Sequence, residues 1–540
     1  MKNTRAIRAI ALAMCATLLF AGCGGSGKKA SSDNSASTAA TETKDELHIA
    51  VSANPPSLDV QTSNSSLVGE IAAHVFEPLF AMDDKYEPTP VLADSYEVND
   101  DGSVYTIKLR EGVKFHNGKE MTSEDVVASM NRWIENCSRA KTLLEGSVFE
   151  AVDDYTVTLT VNKPASDILM ILANPSMFAA IYPKEVVDSA TEEGISEYIG
   201  TGPYKMTEWK QDQYVKLDKF EDYKNSDNAT TGLAGKKEAA TATLWFDIVP
   251  DVSTRMAGVQ NGQYDIAEEV PTDNYEELSK DKNLKLDVTN GGTLNLFLNT
   301  TEGIMANEDM RQAVLAVLNC EDILYASYGN EDLYELNAGW MNLSDAQWST
   351  EAGKEYYNQN DEKKAKELLK KAGYNNEKIT LVTTPDYPEM YNATLVLQEE
   401  LQKIGVNAVV DSNDFNTFME HRSDPKQFSM YITSNSYALL PVQLSALNKE
   451  WAGLDAPEVT DGIKAIRSAS SNEEAKAAWE DLQSFIYEYF RKYLGCHSFL
   501  YEDGAASVIG HYTSVNALNA KAEGYEFSRY ALYWNTTVSK

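Results

Sequence analysis

Apolar residues recur along this chain with two different periods. Alternation of apolar and polar positions predicts strands over 47–51, 105–109, 155–161, 214–217, 241–249, 294–298, 379–383 and 406–410. Apolar positions three and four apart predict helices. The clearest run over 65–80, with Leu67, Ile71, Val75 and Leu79 on one face, and over 361–372, stopped by Gly373. Further helices are expected over 253–261, 309–319, 393–404 and 473–489. Thr122-Ser123-Glu124-Asp125 reads as an N-cap that opens a helix through Trp133. Strands and helices are mixed throughout, with strand–helix–strand units after residue 290 and no fixed-period repeat. That order predicts an α/β fold with more than one sheet.

The first residues break this pattern. Lys2, Arg5 and Arg8 precede an apolar run over 9–20. The run is too short for a bilayer-spanning helix, which needs roughly 20 residues. It ends in Leu19-Phe20-Ala21-Gly22-Cys23, which resembles a lipobox with Phe20 where an aliphatic residue is usual. Residues 1–22 are therefore expected to be a lipoprotein signal peptide, with Cys23 as the lipidated residue. Residues 23–45 are polar and aperiodic and are expected to form a flexible tether. A lipid anchor with a tether places the folded part outside the cytoplasm, on the cell membrane.

Length and charge narrow the remaining choices. A chain of 540 residues exceeds one hydrophobic core, so two or three domains are expected. The formal charge of −35 argues against a nucleic-acid partner, because phosphate binding needs clustered Lys and Arg. Cys15 lies in the leader. Cys137, Cys320 and Cys496 are far apart and are expected to be small buried hydrophobes rather than disulfides or metal ligands. The histidines are scattered, without HExxH spacing, and the mature chain holds no GxSxG elbow. His116, in Phe115-His116-Asn117-Gly118, is expected to pack and hydrogen-bond rather than catalyse. Gly200-Thr201-Gly202-Pro203 lacks the Lys-Ser/Thr of a phosphate loop and reads as a structural turn. No cofactor, no metal and no enzymatic activity are expected.

An ordered series of segments resembles one family. Pro55-Pro56-Ser57-Leu58-Asp59 is similar to its opening PxxLD, and Phe76-Glu77-Pro78-Leu79-Phe80 to its (Y/F)E-x-L element. Pro90-Val91-Leu92-Ala93-Asp94-Ser95-Tyr96 follows. Tyr105 to Gly118, continued by Thr122 to Val127, resembles YTFxLRxGVKFHDG…TAxDVV. Gly200 to Tyr204 matches GTGPY, and Gly262 to Ile266 is similar to GExDI. Leu298 to Thr300 with Met310 to Val314, Ala365 to Tyr374, and Gln398 to Val406 complete the set. Together these resemble bacterial extracellular solute-binding protein family 5, the binding lipoproteins of peptide-type and nickel-type ABC importers.

The resemblance implies an α/β, two-lobed periplasmic-binding-protein-like fold (large type II, cluster C) with an extra small domain. Carried over by motif order, lobe I takes 46–85, 195–290 and 505–540. The extra domain takes 86–194 and lobe II takes 291–504. It implies capture of a small solute, short peptides first, and delivery to ABC permease subunits by a monomer. In peptide-binding relatives an Asp in lobe II, within a W-x-x-D segment, holds the peptide's amino terminus. Here Asn435, Ser436 and Tyr437 occupy the corresponding stretch, and no Asp occurs between Pro425 and Leu454. A charge-assisted bond to an ammonium group is stronger than a neutral one. Its loss leaves room for oligosaccharides, modified peptides or metal chelates. Phe415, Arg422, Asn54 and Trp340 complete the candidate ligand-binding residues. A ligand-sensing receptor or adhesin that keeps the fold is the alternative from a different class.

Overall fold

The computed structural model describes residues 42–540 except 64, 448–456, 470 and 493–504. Everything below concerns the unit Thr43–Lys540. The signal peptide, Cys23, the tether up to residue 41 and Cys496 lie outside the described residues. Cys137 and Cys320 are buried free thiols.

Among the described residues, the largest sheet has eleven strands. One end is built around Glu46–Val51, which pairs in parallel with Thr243–Ile248 and with Ile266–Ala267. Tyr214–Lys219 and Tyr204–Lys210 extend it antiparallel. The other end holds Lys378–Thr383 between Asn407–Ser412 and Met430–Ser436, all parallel. Two long antiparallel strands, Leu284–Leu298 and Ala505–Asn519, run through the middle and belong to both ends. Their register slips at Asn290/Gly292 and again at Leu294/Asn295. A Cβ on Gly292 would lie 1.9 Å from the Asn435 carbonyl oxygen, so only glycine allows this close approach.

A separate four-stranded antiparallel sheet, Ala93–Val98, Val104–Leu109, Thr156–Thr160 and Val148–Asp153, carries the helix Ser123–Asn136. Thr122 N–H donates to Asp125 (3.0 Å), as the capping sequence predicts. Two buried apolar clusters follow this layout. One gathers Ile49, Phe76, Phe246 and Trp534. The other runs through the four-stranded sheet and the far end of the large sheet.

The resembling segments turn out to be joints. Asp59 is fully buried and takes a two-pronged contact from Arg132 on the helix Ser123–Asn136. Tyr182 Oη (3.2 Å) and the Ile195 N–H (3.1 Å) complete its shell. Glu77 accepts from Lys237 Nζ (2.8 Å), Tyr223 Oη (2.8 Å) and Thr201 Oγ1 (3.0 Å). Gly200 approaches so closely that a Cβ there would sit 2.0 Å from the Val75 carbonyl oxygen. His116 donates from Nε2 to the Gly202 carbonyl (3.0 Å) and accepts the Gly200 N–H at Nδ1 (3.2 Å). It ties the segment after the strand Val104–Leu109 to the turn over 200–203 through both ring nitrogens.

Two expectations from periodicity need correction. The helix predicted over 65–80 ends at Val75, because the residue before Pro78 disfavours helix and Glu77 is drawn into its buried ion pair. The strand predicted over 294–298 begins at Leu284: Leu284, Leu286 and Val288 alternate with Lys285, Asp287 and Thr289, and the polar, glycine-containing stretch Asn290-Gly291-Gly292 separates this half from the apolar run over 294–298.

Glu400, on the helix Pro388–Lys403, is buried and accepts the Asn319 N–H (3.1 Å). Burial pushes its carboxyl up to about 8. A carboxyl raised in the fold loses stability as pH climbs from its unfolded value toward 8. Glu400→Gln keeps the acceptor and removes the charge. It is expected to raise stability at pH 9 by roughly 2 kcal/mol, and to change little at pH 4, in urea titrations.

Candidate functional site

The crossing strands form the floor of a cleft. Two cavities, of about 430 and 330 Å³, open on it and share Ser436, Tyr437, Ala438 and Arg529. This size suits a small-molecule or short-peptide ligand. One wall comes from the helix Ser66–Val75 (Ser66, Glu70), the segment after Ile266–Ala267 (Glu268, Glu269) and the C-terminal residues 527–530. The facing wall carries Asn342, Asp345, Tyr387, Glu389, Ser434 and Tyr512. Arg139, Pro175 and Ser176, from the stretch after the helix Ser123–Asn136, complete the lining.

Four predicted residues meet here. Trp340, Asn435, Ser436 and Tyr437 line the 330 Å³ cavity. Tyr437 and Asn435 are placed by the strand Met430–Ser436, whose C-terminal end opens onto the cleft. Tyr437 Oη bonds His511 Nδ1 (2.5 Å), and His511 Nε2 donates to the Gly339 carbonyl (2.8 Å). That carbonyl contact fixes the tautomer, so Nδ1 is the acceptor and the tyrosine donates.

Three predicted residues are elsewhere. The Asn54 amide is spent on Gln211 (2.8 Å) and the Pro55 carbonyl (3.0 Å), and its oxygen on Trp209 and Asp212. It does not line either cavity. Arg422 lies 6.0 Å from the ring centres of Phe418 and Tyr431, packed inside its own region. Phe415 packs against Tyr387 with the rings tilted by 57°, 4.9 Å between ring centres, and supports the wall from behind.

Sequence reasoning missed the charged lining. The buried carboxyls of Glu70 and Glu268 are neighbours, and Tyr533 Oη donates to Glu268. Burial, then the neighbouring Glu268, pushes Glu70 well above the usual carboxylate range, and burial raises Glu268 as well. Glu389 is raised by burial and accepts from Ser434 Oγ (3.3 Å). Four buried polar atoms on lining residues have no hydrogen-bond partner among the described residues: Glu70 Oε1, Asn295 Oδ1, Trp340 Nε1 and Arg529 Nε. Native interiors rarely leave such groups unpaired, so a polar ligand is the natural complement. Among the described residues, no group of three or more His, Cys, Asp or Glu is arranged to hold a metal ion. No helix among them is long and apolar enough to cross a membrane.

Comparison with known proteins agrees with this geometry. Residues 87–446 match the description "Bacterial extracellular solute-binding proteins, family 5 Middle". The chain belongs to this family. A probable peptide ABC transporter periplasmic-binding protein of Sinorhizobium fredii is 29% identical over 77% of this chain and 82% of its own length. The glutathione-binding protein GsiB of Escherichia coli O1:K1 is 30% identical over 68% of this chain and 70% of its own. Among solved structures, the ABC transporter substrate-binding protein CtaP of Listeria monocytogenes superposes with a TM-score of 0.76. It is 21% identical and covers 92% of this chain and all of that one. The oligopeptide-binding protein AppA of Bacillus subtilis, solved with a nonapeptide, gives 0.71 at 21% identity, covering 93% of this chain and 100% of its own. At these identities the structural likeness concerns the fold, which is two-lobed and α/β. This family 5 chain is an extracellular solute-binding protein.

Proposed function

We propose that this family 5 protein captures short peptides in the cleft and delivers them to the permease of an ABC importer, without catalysing a reaction. The observation that carries the reading is the lining itself. Raised carboxyls at Glu70, Glu268 and Glu389 stand beside aromatic walls and unpaired donors and acceptors. An ammonium group set beside Glu389 or the Glu70–Glu268 pair favours their charged forms, so these acids can take the part of the Asp that the Asn435–Tyr437 stretch lacks. The peptide and glutathione labels of the two curated relatives support the same ligand class.

In this reading the lobes are 46–85 with 195–290 and 505–540, and 291–504, with 86–194 as the extra domain. Ligand binding favours closure of the lobes about the crossing strands, and the permease recognises the closed form. The lipobox-like segment ending at Cys23 supports a monomer anchored to the outer face of the cell membrane by lipid.

The test is thermal unfolding of residues 45–540 against di- to hexapeptides, oligosaccharides and metal chelates. A peptide at 100 times its dissociation constant is expected to add about 2.7 kcal/mol. Response to sugars or chelates alone rejects the peptide, and silence across the panel favours a receptor or adhesin.

A further inference from the structure

Arg529 stands where three cavities meet: the two described above and a smaller one of about 90 Å³. Its side chain is mostly buried, its Nε is wholly so, and no described residue bonds it. A guanidinium held in this way is costly unless an anion compensates it. The acids of the cleft do not fill that role in the two smaller cavities. In a chain with 82 Asp and Glu, neither of these cavities has an acidic residue in its lining. Both have Arg529 and Arg139, on two different parts of the fold, together with the Ser176 hydroxyl.

The 90 Å³ pocket also meets the start of the helix Ser66–Val75. Its N-cap, Ser65, makes no side-chain capping bond, and the first turn holds no acidic residue. The positive end of the helix dipole therefore adds to the two guanidinium charges. At this volume the pocket fits one small charged group and not a whole ligand.

We propose that Arg529 and Arg139 form a carboxylate-binding subsite that takes an acidic group of the ligand, with the peptide's free carboxyl terminus as its source. The inference rests on the cleft being the ligand site. It adds a specificity: the protein selects ligands that end in a carboxylate. Arg suits the task because its planar fork matches a carboxylate with two parallel hydrogen bonds.

The experiment measures calorimetric affinities of tri-, tetra- and hexaalanine, each as the free acid and as the C-terminal amide. With the wild-type protein the free acid is expected to bind at least tenfold more tightly than the amide. In Arg529→Gln the difference should vanish. Arg139→Gln, which alters an exposed side chain, should shrink it even if the first variant folds poorly. Equal affinity of acid and amide for the wild type overturns the subsite and leaves peptide capture standing. A preference for the acid that survives both substitutions also overturns it. If no peptide binds, peptide capture fails and glutarate decides the subsite alone. Glutarate binding that is lost in Arg529→Gln upholds it, and no glutarate binding overturns it.

Discussion

Lys237→Met is expected to destabilise the protein by about 3–5 kcal/mol, one of the largest effects of any single substitution outside the apolar core. Lys237 and Glu77 are 4% and 1% exposed, and their charged atoms lie 2.8 Å apart. The ammonium also sits 5.3 Å from the Trp534 ring centre. Removing it leaves a carboxylate in a dry site with only the Tyr223 and Thr201 hydroxyls for company. The loss of a buried charge partner, more than the loss of the bond, sets the magnitude. The check is urea denaturation of Lys237→Met and of the double variant with Glu77→Gln. The double variant should recover much of the stability. A single-variant cost below about 1 kcal/mol would show that the pair is not desolvated.

Acid should unfold the protein through three histidines. Burial holds His74, His116 and His511 each down to about 4. Each already uses one ring nitrogen as a donor to a carbonyl and the other as an acceptor. His74, for example, bonds the Glu70 carbonyl at Nδ1 and accepts the Tyr533 N–H at Nε2. A second proton would destroy the acceptor. Above pH 6.5 both folded and unfolded rings are neutral and the contribution is complete. Below it the unfolded chain takes up protons that the fold refuses, and stability falls until about pH 4. The shift is worth about 3 kcal/mol per ring. Raised carboxyls such as Glu70 act in the opposite sense over this range, so the wild-type curve is a difference of the two effects. His74→Gln isolates one ring. It should reduce the proton uptake on unfolding, between pH 6.5 and 4.5, by about one proton. An unchanged slope of melting free energy against pH would rule out a neutral buried His74.

The ordered segments between residues 55 and 406 made the fold legible, and the structure explains why. Asp59, Glu77, His116 and Gly200 are the joints through which distant parts of the chain are locked together. Such joints need particular residues at particular places and so leave a local signature. The ligand surface was legible only in part. Trp340 and Asn435–Tyr437 follow a strand end or loop whose position the fold fixes, and they reach the cavity. Arg529, Glu268, Asn295 and Tyr512 come from four separate stretches that topology brings together, and nothing in their neighbours marks them. Asn54, Phe415 and Arg422 have the chemistry of binding residues. Their side chains are instead occupied by Gln211, Tyr387 and the Phe418–Tyr431 pair respectively. Residue type alone does not distinguish a side chain facing a ligand from one holding up the wall behind it.

The two crossing strands are hydrogen-bonded to each other along 284–298 and 505–519, not merely side by side. A pair of separate flexible linkers would let the lobes swivel, slide and twist. A ribbon behaves like a leaf spring: it bends easily out of its own plane, but resists shear along its ladder and stretching along its length. The ladder is interrupted at Asn290/Gly292 and again at Leu294/Asn295, and a bend would be softest there. In the proposed closure, such a ribbon would reduce motion between the lobes to nearly one degree of freedom, an opening and shutting about a fixed axis. Each such shutting would return the same two walls to the same alignment, so recognition need not search over mutual orientations each time a ligand arrives.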